Sequence, residues 1–265
     1  MNETIELLHN HRTYRQFDPD YRLSQEQVTA ILTAARQAPS WMNGQAYSIL
    51  VIDDPQIRQQ MVEWNPGNPH IAASSLFLLF LADLNRTKKV ADEKQTPYPI
   101  DEGYQPLLIA TTDASIALQS GAIAAESLGL GTVISGSVRK DSAKIAELLH
   151  LPEYVYPVAG LSIGKPIVEM KVKPRLPEEA VIHYNHYQDY SYEAIEAYDQ
   201  TMTAFGEARE TKPWSEKFAG FYSNRPDQGF DTFTERISMG SSETVSSPVR
   251  LCSMAAISCA MPVSF

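Results

Sequence analysis

His11, Arg12, Thr13, Tyr14 and Arg15 form a short polar run near the start of the chain. Arg12 and Arg15 are three residues apart and share a side where the backbone is helical. Lys173-Pro174-Arg175 places two more cations in a segment that reads as extended, where alternate side chains share a side. These four cations stand out in a chain of 265 residues with 32 acidic and 22 basic side chains and a formal net charge of -10. A phosphate monoester carries roughly -1.5 to -2 charge at neutral pH and accepts several hydrogen bonds. Arginine forks suit such an anion. On spacing alone, two unrelated solvated patches is the simpler reading, because nothing local makes the two segments meet.

Other letter patterns fail on context. Gly129-Leu130-Gly131 opens like a dinucleotide fingerprint, but Ile134 stands where the third glycine belongs, and the run follows a helix rather than a strand. Gly160-Leu161-Ser162-Ile163-Gly164 spells a nucleophile elbow, yet Lys165-Pro166 follows where a helix must start, so Ser162 reads as an ordinary strand residue. His183 and His186 have no carboxylate or cysteine partner nearby in sequence and read as surface histidines rather than a zinc site. Cys252 and Cys259 are too few for a disulfide framework or a thiolate cluster. The acidic balance argues against nucleic acid as a general partner. The start of the chain lacks the apolar run of a signal peptide. Neither Leu76 to Ala82 nor the small-residue run around Ile123 reaches the ~20 residues of a membrane span. The expectation is a cytoplasmic protein with no membrane partner.

The elements that must hold these residues are legible in part. Residues 2–10 read as a short helix. Ser24-Gln25-Glu26-Gln27 is a capping box opening a helix with Val28, Ile31, Leu32 and Ala35 at helical spacing, stopped by Pro39. Tyr47 to Ile52 reads as a strand. Asp54-Pro55 is an N-cap with proline at the first helical position, and the helix runs to about Trp64. Ser75 to Ala82 is a continuous apolar run, consistent with a strand buried on both faces. Asp113 is placed as the cap of a helix reaching about Leu128, apolar nearly all round and therefore expected to be buried. Gly131 to Ser135, Asp141 to His150 and Val155 to Ile163 read as strand, helix and strand. Helices mixed with about four strands give an α/β or α+β three-layer pattern.

Residues 1–166 are dense in such elements and read as the core. Residues 167–239 hold the Lys173-Pro174-Arg175 segment, a tyrosine-rich stretch from Tyr184 to Tyr198 and a helix over about Tyr192 to Phe205. They are expected to form an extension packed on the core and a partner subunit. Residues 240–265 contain seven serines and only two charged residues, Glu243 and Arg250, without periodicity, and are expected to be a poorly ordered tail.

HRTYRQF resembles the His-Arg-Ser-x-Arg-x-Phe opening of the nitroreductase superfamily, in particular its oxygen-insensitive NADPH-dependent nitroreductase and flavin reductase branch. The similarity continues through Ala38-Pro39-Ser40 and Gln45, Ala122 to Gly131 (AIAAESLGLG), Ser135 to Arg139, Leu149-His150-Leu151-Pro152, Gly160 with Gly164, and Lys173 to Pro177 (KPRLP). It spans roughly residues 1–239. Thr13 stands where serine is usual, Ser137 where a second glycine is frequent, and no glutamine precedes an aromatic residue near Asn68-Pro69-His70.

The resemblance implies an α+β three-layer fold with a central mixed sheet flanked by helices, and a homodimer with FMN at the subunit interface. It implies FMN contacts from His11, Arg12, Thr13, Arg15, Ser40, Lys173 and Arg175, and from the backbone of Ile134, Ser135, Gly136 and Ser137. Arg12 and Arg175 are assigned to the phosphate and Arg15 and Lys173 to the pyrimidine edge. The amide near Gly136 is assigned to flavin N5. The implied reaction passes hydride from NADPH through N5 to small-molecule acceptors such as nitroaromatics or quinones, in ping-pong order. No side-chain nucleophile, general base or metal is needed, because the flavin carries the chemistry. Arg209, Lys212 and Arg225 are candidates for the 2′-phosphate of NADPH, or simply exposed loop charges. Two rivals stay open: a reductase supplying free reduced flavin, and an FMN-binding dimer with an impaired catalytic slot.

Overall fold

The computed structural model of the chain describes residues 2–100, 103–206 and 212–224. Helix α1 covers Glu3–His9, with Asn2 Oδ1 accepting from the Ile5 amide at 3.0 Å. Helix α2 covers Gln25–Arg36, and its capping box is complete. Ser24 Oγ accepts from the Gln27 amide at 3.3 Å, and Gln27 Oε1 accepts from the Ser24 amide at 2.9 Å. Helix α3, Pro55–Trp64, begins on Asp54, whose carboxylate accepts from the amides of Gln56 and Ile57.

Four strands, β1 (Tyr47–Val51), β2 (Leu76–Asp83), β3 (Gly131–Ser135) and β4 (Val155–Gly164), form one sheet in the order β1-β2-β4-β3. Every strand pair is antiparallel. The four-stranded sheet is thus antiparallel throughout, and an isolated parallel bridge between Thr13 and Thr132, outside its strands, lays the N-terminal segment along the outer edge of β3.

The unbroken apolar run of β2 follows from burial on both faces. Leu76, Leu78, Phe80 and Ala82 join a core shared with α2 and with helix α6, Gln105–Ser127. Phe77, Leu79 and Leu81 face the other way. They pack with Met61 of α3, Ile71 of α4 (His70–Ala73), and Val138 and Ile145, the latter in α7 (Ser142–Leu148). Each such side chain contributes roughly 1.5–3 kcal/mol on burial. The result is helices, sheet, helices: the three layers expected. Gly160 of β4 matters here, because a Cβ there would lie 2.6 Å from Phe77 Cζ, so only glycine lets that ring cross the strand.

Helix α6 departs from the sequence reading. It starts at Gln105, with Pro106 in its first turn, well before Asp113. Asp113 sits in mid-helix and caps something else. Nor is α6 buried all round. Asp113, Ala114, Ala117, Gly121 and Ala125 are buried, whereas Leu108 and Ile116 on the other side are exposed. The helix is long and apolar enough, by length and composition, to cross a membrane. Here its buried side packs on α2 and the sheet. Helices α4 and α5 (Asn85–Glu93) had no legible signal. The first is a single turn, and the second has Ala91 as its one buried residue.

The extension leaves β4 beside the N-terminal segment, with the Asp18 amide donating to Lys165 O at 2.9 Å and the Ile167 amide to Gln16 O at 3.3 Å. Helix α8, Tyr192–Phe205, ends where expected, at Gly206 in the left-handed region. Helix α9, Trp214–Asn224, packs on it through an edge-to-face contact of Trp214 with Tyr198 and a hydrogen bond from the Ser215 amide to Asp199 Oδ1 at 3.0 Å. Tyr184 and Tyr187 of the tyrosine-rich stretch stand exposed in the single chain. The expected tail, with both cysteines, lies outside the described residues, as do Arg209 and Arg225.

Candidate active site

The His11 to Arg15 run lies along the β3 edge of the sheet, held there by the isolated Thr13–Thr132 bridge. The Tyr14 amide donates to Thr132 O at 2.8 Å. Phe17 then anchors the segment over Gly164 in the core. Glu126, in the last turn of α6, ties the arrangement together with one oxygen. Its Oε1 accepts from His11 Nδ1 at 2.8 Å and from Thr132 Oγ1 at 2.6 Å. That hydrogen bond raises the His11 pKa above its ordinary value of 6.5. Burial opposes the rise, the Glu126 charge adds to it, and the Arg175 charge works against it.

The charge of Arg175 acts on His11, so the second cationic segment lies within electrostatic range of the first. Tyr198 of α8 holds the second segment by donating to Pro174 O at 3.0 Å, and Arg175 Nη1 donates to Lys173 O at 3.1 Å. Arg12 Nε is buried with no hydrogen-bond partner among the described residues. Its Nη2 reaches Asn10 Oδ1 only at 3.5 Å. Arg15 and Lys173 are half-buried. An arginine donor buried without an acceptor is chemically a place for an anion.

The turn after β3 supplies a second wall. Ile134 is 43% exposed in a strand whose other residues are buried. Ser135 Oγ is buried and unpartnered among the described residues. Gly136 opens a 3-10 turn, Gly136–Asp141, and a Cβ at Gly136 would lie 2.9 Å from Arg139 Nη2. A network that sequence reasoning missed clamps this turn. Asn68 Nδ2 donates to Ser137 Oγ at 2.9 Å, and Asn65 Nδ2 to Asp141 Oδ2 at 3.1 Å. His70 Nε2 bonds Asn68 Oδ1 at 3.2 Å, and its Nδ1 shares a hydrogen bond of 3.0 Å with Ser162 Oγ. Ser162 therefore has a histidine beside it, but the hydroxyl is fully buried and no substrate reaches it. Its role is to hold His70.

Ser40 belongs to a different corner. Its Oγ accepts from the Gln45 amide at 3.1 Å. Asp113, 1% exposed, shapes this loop from α6: its two oxygens accept from the Trp41 amide at 2.9 Å and the Ala46 amide at 3.1 Å. Met42, Asn43 and Gln45 all have φ in the left-handed region, at 49°, 56° and 49°. The loop leads into β1, at the opposite edge of the sheet from β3. Asp113 and Glu126 are about three and a half helical turns apart on α6, or ~20 Å. One chain thus holds His11, Arg12 and Thr13 at the β3 edge, with Arg175 in electrostatic range of His11, while the Ser40 loop leads into the opposite edge. Lys212, a nucleotide-phosphate candidate, is exposed and paired with Glu216 at 3.2 Å.

Comparison with known proteins places this architecture. The nitroreductase family model matches residues 8–165, and that family's C-terminal domain model matches residues 173–239. The chain belongs to the nitroreductase family. It is 41% identical over 229 residues to a Bacillus subtilis (strain 168) protein named FMN reductase [NAD(P)H], covering 84% of this chain and 92% of the relative. It is 36% identical over 205 residues to the oxygen-insensitive NADPH nitroreductase of Salmonella typhimurium LT2, covering 77% of this chain and 83% of the relative. Among solved structures, the NADPH:FMN oxidoreductase of Vibrio harveyi complexed with NAD+ superposes with a TM-score of 0.81 at 30% identity. That match covers 89% of this chain and 98% of the other. The nitroreductase family assignment rests on both halves of the chain, the cation-bearing extension included.

Proposed function

We propose that this chain is an FMN-dependent oxidoreductase that moves hydride from NADPH to small acceptors such as nitroaromatics or quinones. The observation that carries the reading is Arg12: a guanidinium with a buried, unpartnered Nε, in the segment whose His11 feels the charge of Arg175. These residues fit a phosphate-bearing flavin. Arg12 and Arg175 would hold the phosphate, with Arg15 and Lys173 at the pyrimidine edge. His11, Thr13, Ser40 and the backbone of Ile134, Ser135, Gly136 and Ser137 would complete the contacts. When bound, FMN supplies the hydride chemistry at N5, and NADPH is the donor. The protein's own part is to bind the anion, to place the Gly136 amide and to exclude water behind Ile134. Relatives named FMN reductase, NADPH nitroreductase and NADPH:FMN oxidoreductase support this reading.

The site is completed by a second copy. Asp113, which holds the Ser40 loop, lies ~20 Å along α6 from Glu126, the partner of His11, and the outer side of α6 exposes Leu108 and Ile116. Homodimer formation brings one protomer's Ser40 loop to its partner's cationic segment and covers the exposed tyrosines of the extension. Residues 1–166 act as the flavin-binding core and residues 167–239 as the arm onto the partner, in the cytoplasm.

A visible spectrum of the purified protein, repeated anaerobically after adding NADPH, tests the proposal. A yellow protein that bleaches is the expected result. A colourless protein that takes up no added FMN overturns it. Release of reduced flavin to other enzymes is a second reading, favoured by the relatives named for FMN reduction. Steady-state rates with free FMN exceeding those with a nitroaromatic would select it.

A further inference from the structure

Glu126 plays no part in the roles assigned above, yet it is the hub of the site's edge. Its side chain is 12% exposed, a carboxylate largely removed from water close to a cluster of cations. Left unpaired, that negative charge would repel the anion the cluster is built to hold. His11 meets it at 2.8 Å, and Thr132 donates to the same oxygen. The charged groups acting on His11 are Glu126 from α6 and Arg175 from the extension, while β3 contributes the neutral Thr132 hydroxyl.

We propose that Glu126 is a positioning residue for cofactor binding: it fixes His11 as an imidazolium, which cancels the Glu126 charge and leaves the field of Arg12 and Arg175 unopposed. This rests on the FMN reading above. Its consequence is a pH dependence. Below the raised His11 pKa the His11–Glu126 pair is neutral overall. Above it, a net negative charge appears beside the phosphate site. The second ionisation of a phosphate monoester lies near pH 6, so above pH 7 the ligand no longer titrates and the protein alone shapes the profile.

The experiment measures FMN dissociation constants by quenching of flavin fluorescence between pH 7 and 9, for wild-type protein and for Glu126→Gln. Glutamine retains an acceptor for both hydrogen bonds and removes only the charge. In parallel, the His11 ring is titrated by NMR in the cofactor-free protein, its resonance identified by its loss in His11→Gln. Wild-type affinity is expected to weaken about three- to tenfold across this range, as one charge near a phosphate predicts. Glu126→Gln is expected to show a flat profile and a His11 midpoint moved to lower pH. A merely structural role for Glu126 would leave both profiles parallel. Parallel profiles, or an unmoved His11 midpoint, overturn the proposal. Wild-type protein that binds no FMN at any pH overturns the flavin reading itself, a result distinct from the His11 titration.

Discussion

At the scale of single residues, the site is defined by donors that lack acceptors. Arg12 is the clearest case, since a buried guanidinium nitrogen without a partner is costly unless a ligand fills the gap. Arg12→Ala is therefore expected to weaken FMN about 30-fold, the equivalent of roughly 2 kcal/mol for a charge-assisted hydrogen bond. Arg12→Lys is expected to restore little of this, because an ammonium lacks the planar fork. Isothermal titration with FMN measures both. His11 gives a second prediction, on stability. Its folded pKa is raised above the ordinary 6.5 by Glu126. A raised basic group stabilises the fold fully below its unfolded pKa and loses that contribution as pH rises through the folded value. The melting temperature of cofactor-free wild-type protein, relative to Glu126→Gln, is thus expected to fall as pH rises from about 6.5. Melts at matched ionic strength across this range check the sign.

At the scale of elements, α6 does two jobs at two points along its length. Its middle supplies Asp113 to the Ser40 loop, and its last turn supplies Glu126 to the His11 segment. Asp113→Ala removes the acceptor for two amides, one of them buried, and is expected to destabilise the fold by about 2–4 kcal/mol. Chemical denaturation reads that loss. Asp113→Asn retains an acceptor and should lose clearly less. The crossing of Phe77 over β4 makes a separate prediction. Gly160→Ala sets a Cβ 2.6 Å from the ring, whereas a Cβ at Gly67 meets nothing within 4 Å. The first substitution is expected to cost about 2 kcal/mol or more and the second to stay within about 0.5 kcal/mol. Melting curves of the two variants side by side make the comparison.

At the scale of the whole molecule, a single chain leaves work unfinished. The cations sit at one sheet edge and Ser40 at the other, and α6 presents an apolar side to solvent. Ile116→Arg places a charge on that side without touching the core. Sedimentation is expected to find it a monomer, with FMN retention lost as well. A dimer that keeps its flavin despite the substitution would remove α6 from the interface.

Much of this was legible in the chain itself. The capping box at Ser24 and Gln27, the Asp54-Pro55 start of α3, the unbroken apolar β2 and the limits of α8 are local patterns, and local hydrogen bonds and burial enforce them. The cations of the site are visible as residue types too. Their arrangement is not, because the N-terminal segment and the extension are laid side by side only through the edge of β3 and the end of β4. Asp113 shows the same limit from the other side. Local chemistry made it a helix cap, but its amide partners are Trp41 and Ala46, far along the chain. Glu126 with His11, and Asn68 with Ser137, are likewise pairs of distant residues joined by packing. Sequence by itself determined most of the elements and the three layers, since those follow from periodicity, while the class of ligand came from the resemblance of its motifs to a family and not from charge or spacing. Tertiary structure alone decided which polar groups face one another, because that depends on how the sheet brings its edges and α6 its two ends.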